Sequence, residues 1–234
     1  MIWANLLHLS FNMWEDRIEP SREVRGYRPH LQFDESLWID ILKRMADAGM
    51  NMVVIDLGDG VQYHSHPEIA VEDAWTVDKL KEEISTIRDL GMEPIPKLNF
   101  ATTHDAWLGE YARQVSTDAY YTVCADLISE VIEIFENPRF FHLGMDEETA
   151  DHQRHSEYVV VRQYDLYWHD FHFYLDQVTK ADVRPWIWSD YVWRHPEIFF
   201  KEMPGEVLQS NWYYRLEVDE GNPRVKTFTD LDER

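Results

Sequence analysis

The sequence predicts an α/β fold of the (β/α)8 TIM-barrel type, incomplete, with about six β/α units present. Short apolar runs alternate with longer amphipathic segments along almost all of the 234 residues. No G-x-G-x-x-G motif follows the first predicted strand, so a dinucleotide-binding open sheet is disfavoured. A closed barrel needs eight strands and about 250 residues. We therefore interpret residues 1–234 as one partial barrel domain that is two strands short.

The first two predicted strands flank a helix with clear end signals. The first strand is predicted at residues 6–12 and is followed by a loop rich in charged residues and proline. Asp34 is a good N-cap for the helix, and Gly49 is a good residue to end it. Residues 52–57 are nearly all apolar, as expected of a parallel strand covered on both faces.

The third unit repeats this pattern with one anomaly. Thr76 can cap a helix that ends near Leu90, and residues 92–98 form the next predicted strand. Pro94 and Pro96 lie inside that strand, where each proline removes one backbone donor from the sheet.

The second half continues the alternation. Its predicted elements are a helix at 118–136, a strand at 140–143, a helix at 157–179, a strand at 184–189, a short helix opened by His195 and Pro196, and a strand at 206–210. The polar stretch 213–234 could begin one more helix.

Composition excludes several classes of function. The chain has 22 basic and 44 acidic residues, a formal net charge of −22, which opposes binding to nucleic acid and to anionic membranes. No run approaches 18 apolar residues, so no membrane span is expected. The single cysteine, Cys124, excludes an intrachain disulfide and a cysteine-rich zinc site. The first residues lack the features of a secretory signal, so we expect a cytoplasmic protein or an exported one whose leader is absent from this sequence.

Polar and aromatic residues follow each predicted strand, where parallel α/β folds place their functional groups. They are Asn12 and Trp14, Asp56 and Asp59, Asn99 and His104, Asp146 with Glu147 and Glu148, Asp190, and Asn211 with Trp212. For Asp56 and Asp59 we favour a structural interpretation, as solvated loop residues or caps.

The acidic triplet Asp146, Glu147 and Glu148 is the most informative of these groups. Three adjacent carboxylates repel one another, and an apolar wall would raise the pKa of at least one of them. A protonated carboxyl could then donate to a leaving oxygen while an ionised neighbour stabilises positive charge. Gly144 would let the chain turn sharply ahead of the triplet. An acidic helix N-terminus after the strand explains the residues equally well.

The same segment resembles the H-x-G-x-D-E signature of the glycoside hydrolase family 20 β-N-acetylhexosaminidases. His142, Gly144, Asp146 and Glu147 match it position for position. Further likenesses occur in the family's order at residues 45–51, at 91–96 with His104, at 186–190 and at 207–212. The resemblance covers about residues 35–212.

This resemblance implies a (β/α)8 barrel and a retaining, substrate-assisted hydrolysis of terminal β-linked N-acetylhexosamine. The 2-acetamido oxygen of the sugar attacks the anomeric carbon. Glu147 would be the general acid and base, and Asp146 would orient the acetamido group. The other residues expected to bind or shape the substrate site are His104 and His142, which would tune the two carboxylates, Trp188 and Trp212, which would wall the pocket, and Asp190 and Asn211. The implied enzyme needs no cofactor and no metal, and its partner is a carbohydrate.

The chain departs from the family pattern at several points. No arginine occurs in residues 6–14, Lys97 replaces the glutamate expected after Pro96, and Asp190 replaces a glutamate. The residues that the family takes from strands seven and eight have no counterpart here. The sequence therefore predicts a divergent or shortened relative, and an open sheet edge that a homo-oligomer could cover.

Two alternatives stay open. One is a carbohydrate-binding relative that has lost turnover. The other is a metal-dependent sugar isomerase or hydrolase on a barrel, with ligands from His64, His66, Asp56, Glu147 and Asp190.

Overall fold

A computed structural model of the protein describes residues 1–18, 26–219 and 221–233. The strands are β1 Ala4–His8, β2 Met52–Asp56, β3 Val61–Gln62, β4 Trp75–Thr76, β5 Glu93–Lys97, β6 Phe140–His142, β7 Arg184–Trp188 and β8 Leu208–Ser210. The α-helices are α1 Glu35–Asp47, α2 Val77–Asp89, α3 Asp118–Ile134, α4 Asp165–Thr179, α5 Pro196–Glu202 and α6 Pro223–Asp232.

Six parallel strands form one sheet in the order β1-β2-β5-β6-β7-β8, while β3 and β4 pair separately. Each strand of the large sheet lies beside its predecessor in the chain. A doubly wound sheet would reverse its order at a switch point, so this topology is that of an incomplete barrel. Among the described residues, β1 and β8 each pair on one side only. The predicted barrel type is therefore confirmed as a six-stranded part.

The two faces of the sheet bury different apolar layers because successive side chains of a strand alternate. Val53 and Ile55 of β2 belong to the large core that includes side chains of α1, α2, α3 and α4. Met52 and Val54 point to the opposite face, into a smaller cluster with Phe140 of β6. That smaller cluster occupies the face that a complete barrel would enclose.

The helix starts follow the predicted caps. Asp34 Oδ1 accepts from the Leu37 amide at 2.9 Å, and Thr76 Oγ1 accepts from the Lys79 amide at 3.1 Å. These bonds satisfy amides that have no partner inside the helix.

The two prolines of β5 occupy a central strand, and the sheet register explains how. The Leu98 amide donates to His142 of β6, so the missing donors of Pro94 and Pro96 also face β6. The β5–β6 ladder has one registered pair, whereas β5 pairs with β2 over its whole length. The two prolines therefore remove backbone hydrogen-bond donors only on the side of β5 that faces β6, where the strands pair little.

Several predicted boundaries are wrong. The first strand ends at His8 rather than at residue 12, and the last strand begins at Leu208 rather than at 206. Helix α4 begins at Asp165, because residues 157–164 form part of a long loop. The predicted loop after the first strand lies partly outside the described residues. In the part of the chain that is described, no helix is long and apolar enough to cross a bilayer.

Candidate active site

The acidic triplet lies on a loop that leaves β6 through a strained turn. Gly144 has φ +73°, Met145 φ +72° and Glu147 φ +56°. A side chain at Gly144 would place its Cβ 1.9 Å from Oδ1 of Asn99, so only glycine lets the turn approach the end of β5 this closely. Left-handed non-glycine residues are costly and persist where surrounding contacts impose them.

Asn99 supplies those contacts. Its Nδ2 donates to Asp146 Oδ1 at 2.9 Å, and its Oδ1 accepts from the Met145 amide at 3.2 Å and the Ala101 amide at 3.1 Å. Thr103 Oγ1 donates to the Asp146 carbonyl at 3.1 Å. Asp146 is thus held by the loop after β5 through both its side chain and its backbone.

Two imidazoles flank the Asp146–Glu147 doublet. His104 Nε2 lies 3.9 Å from Asp146 Oδ2 and 3.6 Å from Glu147 Oε2. His152 Nε2 lies 3.5 Å from Glu147 Oε1. The side chains of Asp146 and Glu147 are 16% and 29% exposed, so the doublet is largely shielded from bulk water yet reachable by a ligand.

The electrostatics keep Asp146 ionised. Burial alone would raise the pKa of its carboxyl, but the charges of His104 and Lys97 and the bond from Asn99 hold that pKa below its usual value. His142 is fully buried, and burial together with Lys97 lowers its pKa to about 3, so the ring is neutral. Its Nδ1 accepts from the Gly144 amide at 3.0 Å. His142 therefore supports the turn and is not exposed to a sugar.

A carboxyl with a raised pKa in this region is Asp190, outside the triplet. Burial raises its pKa to about 7, and the negative charge of Asp146 adds to the effect. Asp190 Oδ2 accepts from the Glu147 amide at 2.9 Å, while Oδ1 is buried with no hydrogen-bond partner among the described residues. Near neutrality a fraction of Asp190 is protonated and can donate a hydrogen bond.

Glu148 is structural. It forms a buried ion pair with Arg162, whose Nε and Nη2 lie 2.8 and 2.6 Å from its two oxygens. Arg162 also donates to the Phe100 carbonyl at 2.6 Å and to the Tyr174 hydroxyl at 2.7 Å. Glu148 and Arg162 both lie in the loop after β6, and the bond from Arg162 to Phe100 ties that loop to the loop after β5. No helix begins at the triplet, so its interpretation as a helix N-terminus is wrong.

A cavity of about 250 Å³ adjoins Glu147, whereas Asp146 and His104 are not among its lining residues. Its lining includes Glu147, Asp190, Trp193 and Trp212, so Trp212, expected to wall a substrate pocket, lies at this cavity. Trp188 is not among the lining residues.

The two remaining predicted contacts are engaged elsewhere. The Trp188 ring packs 4.9 Å from the His142 ring. Asn211 accepts from Trp193 Nε1 at 2.9 Å and donates to the Arg224 carbonyl at 2.7 Å. Asn211 thus positions a lining tryptophan. Sequence reasoning missed Trp193, His152 and Arg162, which belong to none of the motifs that it used.

Asp56 and Asp59 are buried, so their interpretation as solvated loop residues is wrong. Lys97 Nζ lies 2.5 Å from Asp56 Oδ2, and this charge holds the Asp56 pKa below its usual range in spite of burial. Burial raises the pKa of Asp59 to about 6, although Ser10 and Asn12 each donate to it at 2.7 Å. The lysine that departs from the family pattern is thus the ion-pair partner of Asp56.

One group of side chains could hold a metal ion. Ligand atoms of His104, Asp146 and Glu147 lie within 4.8 Å of one another, and the described residues contain no other such group. The five ligands of the metal-dependent alternative do not come together. His66 contacts Glu68 and Asp126, and Asp56 is paired with Lys97.

The chain matches no protein-family model. Among curated proteins it is similar to the aspartate carbamoyltransferase catalytic subunit of Ehrlichia canis (strain Jake), with 27% identity over 136 residues, 58% of this chain and 44% of that protein.

Solved structures give a broader likeness. The β-N-acetylhexosaminidase of Bacteroides fragilis has a TM-score of 0.63 at 14% identity, covering 98% of this chain and 48% of that one. The family 20 enzyme of Streptomyces coelicolor has the same score and identity, covering 98% and 46%. The family 20 exo β-N-acetylglucosaminidase of Vibrio harveyi, in complex with N-acetylglucosamine, scores 0.57 at 13% identity, covering 80% and 37%. The chain shares their fold and spans less than half their length.

Proposed function

We propose that this chain is a divergent glycoside hydrolase that removes terminal β-linked N-acetylhexosamine by a retaining, substrate-assisted mechanism. One observation carries the proposal. Asp146 is anchored by Asn99 immediately before Glu147, and Glu147 reaches a cavity with tryptophan walls. Tryptophan faces suit the C–H faces of a pyranose, whose hydroxyls remain free for hydrogen bonds.

In this proposal the two acids have different tasks. Glu147 protonates the leaving oxygen and later removes a proton from the attacking water. Asp146, ionised at neutral pH, accepts from the acetamido N–H and stabilises the positive charge that develops as the acetamido oxygen attacks the anomeric carbon. His104 lies beside both carboxylates and adds to their polarisation.

Asp190 has a supporting task. Its bond from the Glu147 amide holds the backbone of the proposed acid. Its second oxygen is unpartnered and buried at the cavity, where a sugar hydroxyl could satisfy it.

The shared fold with hexosaminidases supports the proposal, as does the chemistry of the doublet. The likeness to a carbamoyltransferase concerns 58% of the chain, and the adjacent acids with tryptophan walls have no evident use in carbamoyl transfer. We therefore propose glycoside hydrolysis and not carbamoyl transfer.

The test is a panel of nitrophenyl glycosides with and without the 2-acetamido group. Wild-type protein should cleave the acetamido substrates preferentially. Glu147→Gln should lower kcat by about 100-fold or more, and Glu133→Gln, an exposed acid on α3, should change nothing. Equal cleavage of plain glucosides would contradict the mechanism. Sugar binding without hydrolysis would favour the carbohydrate-binding alternative.

A further inference from the structure

Two arginine side chains line the cavity beside Glu147. Arg194 and Arg224 line it together with His152 and His195. The chain as a whole has twice as many acidic as basic residues, 44 against 22. Two arginines at one cavity of so acidic a protein would ordinarily be neutralised by neighbouring carboxylates.

Arg224 is held in place without being neutralised. Its guanidinium carbon lies 4.4 Å from the centre of the Trp193 ring. The same carbon lies 5.2 Å from the centre of the Trp212 ring. Cation–π attraction to the two rings holds the guanidinium and uses none of its N–H groups as hydrogen-bond donors. Within the described residues those groups form neither an ion pair nor a side-chain hydrogen bond.

Arg194 extends the positive surface. It follows the turn Asp190–Trp193 and lines both this cavity and an adjoining one of about 240 Å³. Its side chain, too, forms no ion pair within the described ranges.

Helix α6 adds to the same potential. Asn222 and Pro223, which open the helix, line the cavity with Arg224. The Asn222 side chain already accepts from the Arg224 amide at 3.0 Å, so the contribution of this helix end is the field of its dipole.

We propose that this cavity binds a saccharide that carries an anionic group, a sulfate ester or a carboxylate, on Arg224 and Arg194. The planar fork of an arginine binds an oxyanion through two parallel hydrogen bonds, and the cation–π contacts with Trp193 and Trp212 hold the Arg224 guanidinium before the ligand arrives. Glu147, Glu148 and Asp190 line the same cavity, so the anionic group is placed on the arginines and away from these carboxyls. This inference rests on the proposed function for the identity of the ligand as a sugar.

Binding is measured by titration calorimetry, which needs no turnover. The probes are N-acetylglucosamine, its 6-sulfate, glucuronic acid and inorganic sulfate, each on the wild-type chain and on Arg224→Gln, Arg194→Gln and Arg215→Gln. Arg215 is an exposed arginine outside the cavity and serves as the matched control. Circular dichroism checks that each variant is folded.

We expect an anionic sugar to bind at least about tenfold more tightly than N-acetylglucosamine. Arg224→Gln should abolish this preference, Arg194→Gln should reduce it, and Arg215→Gln should preserve it. The preference should weaken as salt is raised. The 6-sulfate and glucuronic acid distinguish the two kinds of anionic group.

Three results would overturn the inference: equal affinity for neutral and anionic sugars, an equal loss in the Arg215→Gln control, or binding of inorganic sulfate without any sugar preference. Failure of the proposed function is a separate result. If the protein binds anionic sugars but hydrolyses no acetamido glycoside, the anion site stands and the proposed hydrolysis fails. If it hydrolyses acetamido glycosides without preferring anionic sugars, the hydrolysis stands and the anion site fails.

Discussion

Asn99 and Asp146 face each other across the carboxyl ends of β5 and β6, joined by a 2.9 Å hydrogen bond from amide to carboxylate. The donor is Asn99 Nδ2, and the oxygen of the same amide accepts from the Met145 backbone, so one side chain fixes both the conformation of the turn and the orientation of the acid. An asparagine amide carries a donor nitrogen and an acceptor oxygen on one short side chain, so Asn99 can make both contacts at once.

Asn99→Asp should change the charge beside Asp146 while keeping a side chain of nearly the same size at position 99. A second carboxylate at hydrogen-bond distance raises the pKa of Asp146 by like-charge repulsion, so Asp146 is ionised only at higher pH. We expect kcat/KM to fall about 10- to 100-fold and its acidic limb to move upward. A pH–rate profile measures this, and an unchanged limb would contradict the role given to Asn99.

Gly144→Ala should abolish activity through a steric cause that Gly91→Ala lacks. Both glycines have positive φ, +73° and +79°, but a Cβ at Gly91 meets nothing within 4 Å, whereas one at Gly144 meets Asn99. We expect Gly91→Ala to lose about 1 kcal/mol of unfolding free energy with full activity. Gly144→Ala should lose more and be inactive. Urea unfolding measures the loss of stability, and kcat/KM measures the loss of activity. Equal stability and equal activity of the two variants would exclude a clash at Gly144.

Arg162→Met should be strongly destabilising. It leaves Glu148 and Asp170 buried without their cation, which typically costs about 3–5 kcal/mol of unfolding free energy. The control is Arg44→Met, which breaks an exposed pair with Asp40 and should cost under about 1 kcal/mol. The double variant Arg162→Met/Glu148→Gln should recover part of the loss. If the double variant recovered none of the lost unfolding free energy, Glu148 would not be the main partner of Arg162.

The fold was largely predictable because its signals are local. Caps such as Asp34 and Thr76 bond to amides three residues away, and the apolar run of β2 reflects burial on both faces. The start of α4 was not predictable in this way. Residues 157–164 are held as a loop by distant contacts, among them the bond from the Glu157 amide to Asp16, so their helix-compatible pattern was overridden.

Asp190→Asn should remove a pH dependence of stability. The unfolded carboxyl has a pKa near 3.8 and the folded one about 7, so the folded state binds the extra proton in between. The unfolding free energy therefore falls as pH rises from about 4 to about 7 and levels off above it. Asp190→Asn should flatten this fall. Asp59→Asn should flatten only the part below about pH 6, the value to which burial raises the pKa of Asp59.

Urea unfolding of the three proteins at pH 5, 6.5 and 8 separates the two contributions. A wild-type protein that gained stability between pH 5 and 7 from these carboxyls would contradict the sign of both shifts.

Metal ions should inhibit the proposed activity and not support it. His104, Asp146 and Glu147 can converge on one cation, which would occupy the proposed acid and its partner. We expect EDTA to leave activity unchanged and Zn²⁺ to inhibit, since an imidazole with carboxylates suits zinc better than magnesium. His104→Ala should weaken that inhibition. Loss of activity with EDTA, restored by a metal, would revive a metal-dependent mechanism.

The site itself was only partly predictable. The doublet Asp146–Glu147 and Trp212 follow strand ends and could be found from their positions in the chain. Arg162 and Trp193 act through tertiary contacts that leave no local pattern. The pKa of Asp190 depends on how deeply β7 buries it and on the charge of Asp146, and neither quantity can be read from neighbouring residues.

The order β1-β2-β5-β6-β7-β8 bears on how the chain acquires its structure. Among the described strands of this sheet, each pairs with the strand one unit earlier along the chain. Loop closure therefore remains short at every step, which favours rapid folding. We expect the sheet to grow in the direction of synthesis, each β/α unit docking on the one made before it while the ribosome is still extending the chain.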